Sequence, residues 1–342
     1  MTKKIIKVAT FNLFNMVLPN VVYYDNRKYS IAEFEKKVQW VAYKLNEIDA
    51  DIVAFQEIFH PQAIEKAIEK SGIYKNAHFI VANPCGTLPR VGILSRFPII
   101  NQVIYENYPQ DAIIEITDEQ TQNIYNLPFN KFSRPVLRAD ISILPNLTLF
   151  CYNVHLKSKR PLYLDTETKN NPVETAKATT RALIVRAAEA TAIRSILMET
   201  LHHKQKPVIV LGDLNDSGLS VTTQLITGQP PHRKYPDDVK RKLWDVLLYQ
   251  AKDIQARRSY HDVYYTYIHN GHYDSLDHIM VSQELVSQYP NHIGKIGYVS
   301  LFNDHLIDNT LTDDKEKPWQ SDHGIVAATI EILLDKIAQT DI

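Results

Sequence analysis

This sequence predicts an α/β fold: one domain of mixed strands covered by helices. Three observations carry it. Apolar runs of strand length alternate with helical periodicity through the first hundred residues. Two long strand candidates stand either side of Pro145-Asn146, a hairpin signal that favours antiparallel pairing. A long Ala-rich, Arg-containing helical stretch then precedes the most apolar strand candidate of the chain.

Taken in order, Ile5 to Asn12 reads as a buried strand. Ser30-Ile31-Ala32-Glu33 is a capping box opening a helix whose apolar stripe runs through Phe34, Val38, Val41, Ala42 and Leu45. Asp51 to Phe55 returns as a strand and Pro61 to Lys70 is helical. His78 to Ala82 and Val91 to Ser95 are strands, with a further strand expected over Ala112 to Ile116. Pro135 to Ile143 and Leu147 to Leu156 form the hairpin. Asn171 as N-cap with Pro172 in the first turn starts the long helix, which runs to about Leu201. Pro207 to Leu211 is a strand buried on both faces and closed by Gly212. Val263 to Ile268, Leu276 to Ser282, Lys295 to Leu301 and Gly324 to Ile332 complete the strands. Residues 217–273 are the least regular part and read as an insertion within a single domain spanning 1–342. No repeat or Gly/Ser linker divides the chain.

The chain has 342 residues, 44% hydrophobic and 23% charged, with a formal charge of −1. That composition does not indicate disorder, and it lacks the strong positive field of a non-specific duplex binder. Nucleic acid stays open as a partner, because a local basic groove is compatible with a neutral total. Cys85 and Cys151 are too few for a disulfide framework and lie outside any zinc spacing. The basic start Met1 to Lys7 is not followed by a secretory apolar core, and no segment approaches a membrane span. A cytoplasmic protein is expected, and nothing bears on oligomeric state.

Polar residues end the predicted strands one after another: Asn12, Glu57, His155, Asp213 with Asn215, Asp277, and Asp322-His323. Strand ends on one edge of a sheet converge, so these residues can share one cleft. Asp213 and Asn215 lie two apart and point to one side. Asn12 and Glu57 offer hard oxygens for magnesium, which prefers few carboxylates. His323 suits a proton transfer from water if Asp277 or Asp322 holds its other nitrogen, and His155 suits donation to a phosphate oxygen or the leaving group. Each residue also has a duller explanation. Asn and Asp shape turns, a Glu at a strand end is usually solvated, and a His between Val154 and Leu156 is usually core. Basic residues stand near this set: Lys157 follows His155 closely, and Arg134 and Arg138 lie on the preceding strand region. They are expected to bind substrate phosphates.

Thr10-Phe11-Asn12, Gln56-Glu57, Gly92 to Ile99, Asn153 to Leu156, Gly212 to Asp216, Asp277-His278-Ile279 and Ser321-Asp322-His323 occur in one order. That series resembles the endonuclease/exonuclease/phosphatase superfamily, the DNase I-like phosphoesterases, over nearly the whole chain. The resemblance implies a four-layer α/β/β/α sandwich of two mixed sheets with a divalent metal, Mg2+ or alternatively Mn2+, at one rim. It implies a metal site at Asn12, Glu57 and Asp322, and catalytic roles for His155, Asp213, Asn215, Asp277 and His323. There is one departure. Pancreatic-type DNases support the second histidine with a Glu from an earlier strand, whereas Leu88-Pro89-Arg90 has no carboxylate, which makes His155 an electrostatic stabiliser. The expected function is metal-dependent hydrolysis of a phosphate ester by in-line attack of water. The alternatives are a nuclease acting on DNA or RNA, and a catalytically inactive binding protein on the same fold.

Overall fold

Two six-stranded sheets pack face to face. The computed structural model describes residues 2–24, 26–202, 206–257 and 264–337. The first sheet contains β1 (Lys3–Met16), β2 (Ile52–Ile58), β3 (His78–Val81) and β4 (Arg90–Ser95) from the start of the chain. It also holds β15 (Gly294–Phe302) and β16 (Ile325–Leu333) from the end, in the order β15-β16-β1-β2-β4-β3. The second sheet is built from β5 (Ile99–Asn107), β8 (Lys131–Leu144), β9 (Leu147–His155), β10 (Val208–Asp213), β11 (Leu248–Gln250) and β14 (Asp277–Ser282). Its order is β11-β14-β10-β9-β8-β5. Two short hairpins stand apart, β6 (Glu115–Thr117) with β7 (Ile124–Asn126), and β12 (Tyr267–His269) with β13 (His272–Asp274).

Helices cover both outer faces. On the first sheet α1 (Ile31–Ile48) and α2 (Pro61–Ser71) bury Phe34, Val38, Val41, Leu45, Ile64 and Ala67 against Ala9, Phe11, Val53 and Phe55. The capping box expected at Ser30 is present: Ser30 Oγ accepts from the Glu33 N–H, and the Ser30 N–H donates to Glu33. On the second sheet α3 (Pro172–Leu201), capped by Asn171, and α4 (Val221–Thr227) cover Val136, Tyr152, Val154, Val208 and Val210. The chain therefore forms the four-layer α/β/β/α sandwich expected of it. Shorter helices α5 (Asp237–Trp244), α6 (Ala251–Ala256) and α7 (Leu334–Ile337) complete the described α-helices. Among the described residues no helix is long and apolar enough to cross a membrane.

Three of the expected segments turn out differently. Ala112 to Ile116 is a 3-10 turn over Gln110–Ala112 followed by the short exposed β6, because only the small hairpin partner β7 is there to pair with it. Of the strand expected over Val263 to Ile268, Val263 lies outside the described residues and only Tyr267 onward is strand. The stretch 217–273 is more regular than expected, carrying α4, α5, β11, α6, β12 and most of β13.

Between the sheets, alternate residues change character along each strand. Ile6 and Val8 of β1, Ile52 and Ala54 of β2, Leu149 and Cys151 of β9, and Ile209 and Leu211 of β10 form one apolar core. The next inward positions are Thr10 and Asn12, Gln56, Asn153 and His155, and Asp213, all of them buried. Period-2 alternation thus carries an apolar core into a polar rim at one end of the seam. Cross-sheet hydrogen bonds close the boundary. Gln56 Nε2 donates to Asn153 Oδ1 at 2.8 Å, and Asn153 Nδ2 donates to the carbonyls of Phe55 (2.9 Å) and Gly92 (2.7 Å).

Candidate active site

The polar rim gathers side chains from both sheets. Asn12 on β1 donates its amide N–H to Asp213 Oδ2 on β10 at 3.1 Å, and its Oδ1 accepts from the Phe14 N–H at 3.0 Å. Asp213 also accepts from the Asn215 backbone N–H (2.7 Å) and side-chain amide (3.3 Å). His155 Nε2 stands 3.4 Å from Asp213 Oδ2. His323, just before β16, has its Nδ1 2.8 Å from Asp277 Oδ2 and its Nε2 3.8 Å from Asp213 Oδ2. Asp213, Asp277 and His323 thereby bring ligand atoms within 4.8 Å of one another, a spacing at which a metal ion can be held.

Backbone geometry sets these positions. Gly212 has φ +145°, and a Cβ there would lie 1.9 Å from the Val154 carbonyl of the paired strand, so β10 reaches the rim only with glycine. Four non-glycine residues here are left-handed: Phe14 (φ 50°), Asn15 (60°), Glu57 (65°) and Asn215 (52°). Each costs on the order of 1–3 kcal/mol and persists only where the surroundings over-determine it. Opposite Glu57 the register slips: Asn12 pairs with Gln56 and Met16 with Ile58, so residues 13–15 bulge out of β1. The bulge returns the Asn15 N–H to Glu57 Oε2 at 2.9 Å.

Electrostatics divide the groups. Burial pushes the Asp213 carboxyl up to about 7; His323 pulls it down and Asp277 adds to the rise. Burial opposes a charge on His323, but Asp277 and Asp213 overcome it and hold the imidazole well above its ordinary value. His155 goes the other way, driven well down by burial and then by Arg134, so it is neutral. Its Nδ1 is buried with no partner among the described residues. Asp322 is pushed up to about 6, first by burial and then, after an opposing pull from His323, by Glu57. Beside Asp322 a depression of about 370 Å³ opens, lined in part by Phe14, Ile268, Ser321 and Asp322.

Of the basic residues, Arg134 and Lys157 sit close to this set. Arg134 Nη1 donates to the Leu156 carbonyl, which also accepts from the Asn215 amide. Among the described residues Lys157 Nζ bonds only neutral oxygens of Ser158 and Arg160, and burial together with the neighbouring Arg134 brings its ammonium down to about 8. Arg138 does not join them. It is bound to Asp140 at 2.9 Å and lies over the Phe150 ring, on the helix-covered face of the second sheet. Leu137 and Ala139 on either side of it face the core, so alternation turns Arg138 away from the cleft.

Sequence reading missed several residues that hold the site in place. Ser321 Oγ donates to the Asn12 carbonyl and accepts from the His323 N–H. His305 Nε2 bonds the His323 carbonyl at 2.9 Å, and the Tyr267 ring lies 5.1 Å from that of His323. Buried Glu189 on α3 accepts from the backbone N–H groups of Ser133 (2.8 Å) and Lys157 (2.6 Å). Ser321 stood in the Ser321-Asp322-His323 motif without a role of its own, and the others carry no motif signal, because each acts through backbone groups or a ring face.

Fold and rim together define a DNase I-like protein, a two-sheet sandwich with carboxylates and histidines gathered at one end of the seam. The chain belongs to the endonuclease/exonuclease/phosphatase family, which matches residues 10–323 and whose members are hydrolases of phosphate esters. Three solved structures illustrate the likeness. Truncated TDP2 of Caenorhabditis elegans is 15% identical with a TM-score of 0.54, over 95% of this chain and 97% of that one. An endonuclease/exonuclease/phosphatase family protein of Bacteroides thetaiotaomicron is 13% identical with a TM-score of 0.55, over 98% and 97%. A mannosyl-6-phosphatase of the same organism is 14% identical with a TM-score of 0.54, over 95% and 99%. At these identities the likeness is one of fold. No curated protein matches the sequence.

Proposed function

We propose that this protein hydrolyses a phosphate ester by in-line attack of water, with a divalent cation, Mg2+ or alternatively Mn2+, at the Glu57 and Asp322 end of the rim. What supports this above all is the buried set in which His323 is held by Asp277 on one nitrogen and faces Asp213 with the other. Family membership supports the reaction class and a divalent metal.

The donor set fits a hard cation. Glu57 and Asp322 are carboxylates near enough for one to raise the other's affinity for a proton, a repulsion that a cation relieves. Asn15 Oδ1 is buried there without a hydrogen-bond partner among the described residues. Asn12 is assigned to the same end, since its Oδ1 accepts one bond and keeps a second lone pair. When bound, the cation polarises a non-bridging oxygen and offsets charge on the departing one.

The chain's own groups divide the remaining work. Asp213, whose affinity for protons is raised, orients water and takes its proton. His323, kept cationic, presents Nε2–H to the phosphoryl group, while Asp277 fixes the ring through Nδ1. Asn215 contributes an amide donor without adding negative charge. Neutral His155 adds a donor on the leaving side, and Arg134 and Lys157 form a cationic wall for substrate oxygens. Cleavage of DNA or RNA uses the same groups.

The deciding experiment incubates purified protein with Mg2+, Mn2+ or Ca2+ and a panel of phosphate esters. The panel is bis-nitrophenyl phosphate, plasmid DNA, single-stranded RNA, phosphoinositides and mannose 6-phosphate. Metal-dependent turnover of at least one ester, abolished by chelation, is the expected result. No turnover of any ester with any of the metals would leave only a binding protein.

A further inference from the structure

Lys37 of α1 is fully buried, an unusual place for an amine, and neither the fold nor the proposed chemistry explains it. Its Nζ donates to the Phe14 carbonyl at 2.9 Å, with the rings of Tyr29 and Phe14 5.4 and 5.8 Å away. Tyr29 Oη donates to the same carbonyl at 3.3 Å. The other half of that peptide group is the Asn15 N–H, which donates to Glu57 Oε2 at 2.9 Å. One trans peptide plane therefore joins Lys37 on its carbonyl side to Glu57 on its amide side.

We propose that Lys37 is a positioning residue for the cation site: by gripping the Phe14 carbonyl it holds the left-handed Phe14-Asn15 bulge so that the Asn15 N–H fixes the Glu57 carboxylate. The inference rests on the metal reading of Glu57 given above. Three points support it. Phe14 and Asn15 both have positive φ without being glycine, so the bulge needs an external hold. Rotating the 14–15 peptide would break both hydrogen bonds at once, and a donor at one end polarises the group toward the acceptor at the other. The grip does not depend on charge, because a neutral amine donates as well as an ammonium. The anions that act on Lys37 are Glu57 and Asp322, the two carboxylates of the same end.

The test compares wild type, Lys37→Met, which keeps the stem and removes the donor, and Tyr29→Phe, which removes the second, longer bond. Amide hydrogen exchange is followed in the metal-free full-length protein and Mg2+ affinity is measured by calorimetry. Lys37→Met should speed exchange over residues 14–16 by about tenfold, with exchange in β9 and β10 unchanged, and weaken Mg2+ binding by about tenfold. Lost turnover should return when Mg2+ is raised. Tyr29→Phe should move exchange and affinity the same way by about two- to threefold, and it keeps the inference testable if Lys37→Met does not fold. Unchanged exchange at 14–16 overturns the grip. Unchanged or tighter Mg2+ binding overturns its role at the cation site, leaving Lys37 a mere counter-charge. If wild type itself binds no Mg2+, the metal reading of Glu57 fails, and exchange at 14–16 still decides whether Lys37 holds the bulge.

Discussion

His323 Nδ1 and Asp277 Oδ2 lie 2.8 Å apart although one residue stands just before a strand of the first sheet and the other opens a strand of the second. The bond fixes which ring nitrogen faces Asp213. Asp277→Asn should therefore slow turnover by on the order of 10²-fold or more with the fold retained. The pH profile gives a second readout. Asp277 raises the proton affinity of His323, so its loss lets the imidazole deprotonate earlier, and the alkaline limb of kcat/KM should move to lower pH. An unmoved alkaline limb would separate Asp277 from the titration of His323.

Asp213 and His323 carry the proton chemistry proposed here. His323→Ala and Asp213→Ala are each expected to lower kcat by at least about 10²-fold with circular dichroism unchanged. With Asp213 as the base pushed up to about 7, wild-type activity should climb as pH rises through neutrality. Near-wild-type rates in either variant would remove these roles.

Asp322 bears on stability in the opposite sense from an ordinary paired carboxylate. Its folded-state value is raised to about 6, so the native state holds its proton more tightly than the unfolded chain and loses stability as pH rises from about 4 through 6. Asp322→Asn should be more stable than metal-free wild type at pH 8, by on the order of 1–2 kcal/mol after allowance for solvent screening, and so melt higher. The difference should vanish near pH 4. Mg2+ should raise the melting temperature of wild type but not of the variant, which thermal denaturation at both pH values will show.

Lys157→Ala should raise KM more than it lowers kcat, because the ammonium borders the cleft and makes no bond to the proton-transfer groups. Steady-state kinetics on the best ester of the panel decides it. An unchanged KM would mean that Lys157 does not touch substrate.

Asn153 spans the boundary between core and rim. Replacing it with Ala removes a partner from the buried carbonyls of Phe55 and Gly92 and leaves the Gln56 amide only its longer bond to the Ala54 carbonyl. A loss on the order of 2–5 kcal/mol is expected, read as a lower urea midpoint with an unchanged denaturant slope.

The rim was legible because chemistry and periodicity agree there. Thr10-Phe11-Asn12 or Gly212-Asp213 places a polar side chain where an inward-facing apolar series stops, and two-residue alternation alone selects the face. The same rule turns Arg138 outward, since it stands between inward-facing Leu137 and Ala139; proximity along the chain to Arg134 was not enough. The strand β5 went unread because it is an edge with exposed Asn101, Gln102 and Glu106, and a half-solvated edge resembles a loop in composition. The bulge at 13–15 and its hold by Lys37 and Tyr29 depend on a register slip between two strands, which no single segment records.

The strand β16 is inserted between β1 and β15, so the seat beside the first strand of the chain is filled by nearly the last. Asp322 and His323 arrive with it. A nascent chain emerging from the ribosome holds Asn12, Glu57, His155 and Asp213 well before it can assemble them around the final histidine. Partial translation products therefore lack the groups that complete the rim, and any ester hydrolysis waits until the polypeptide has threaded its closing strand home.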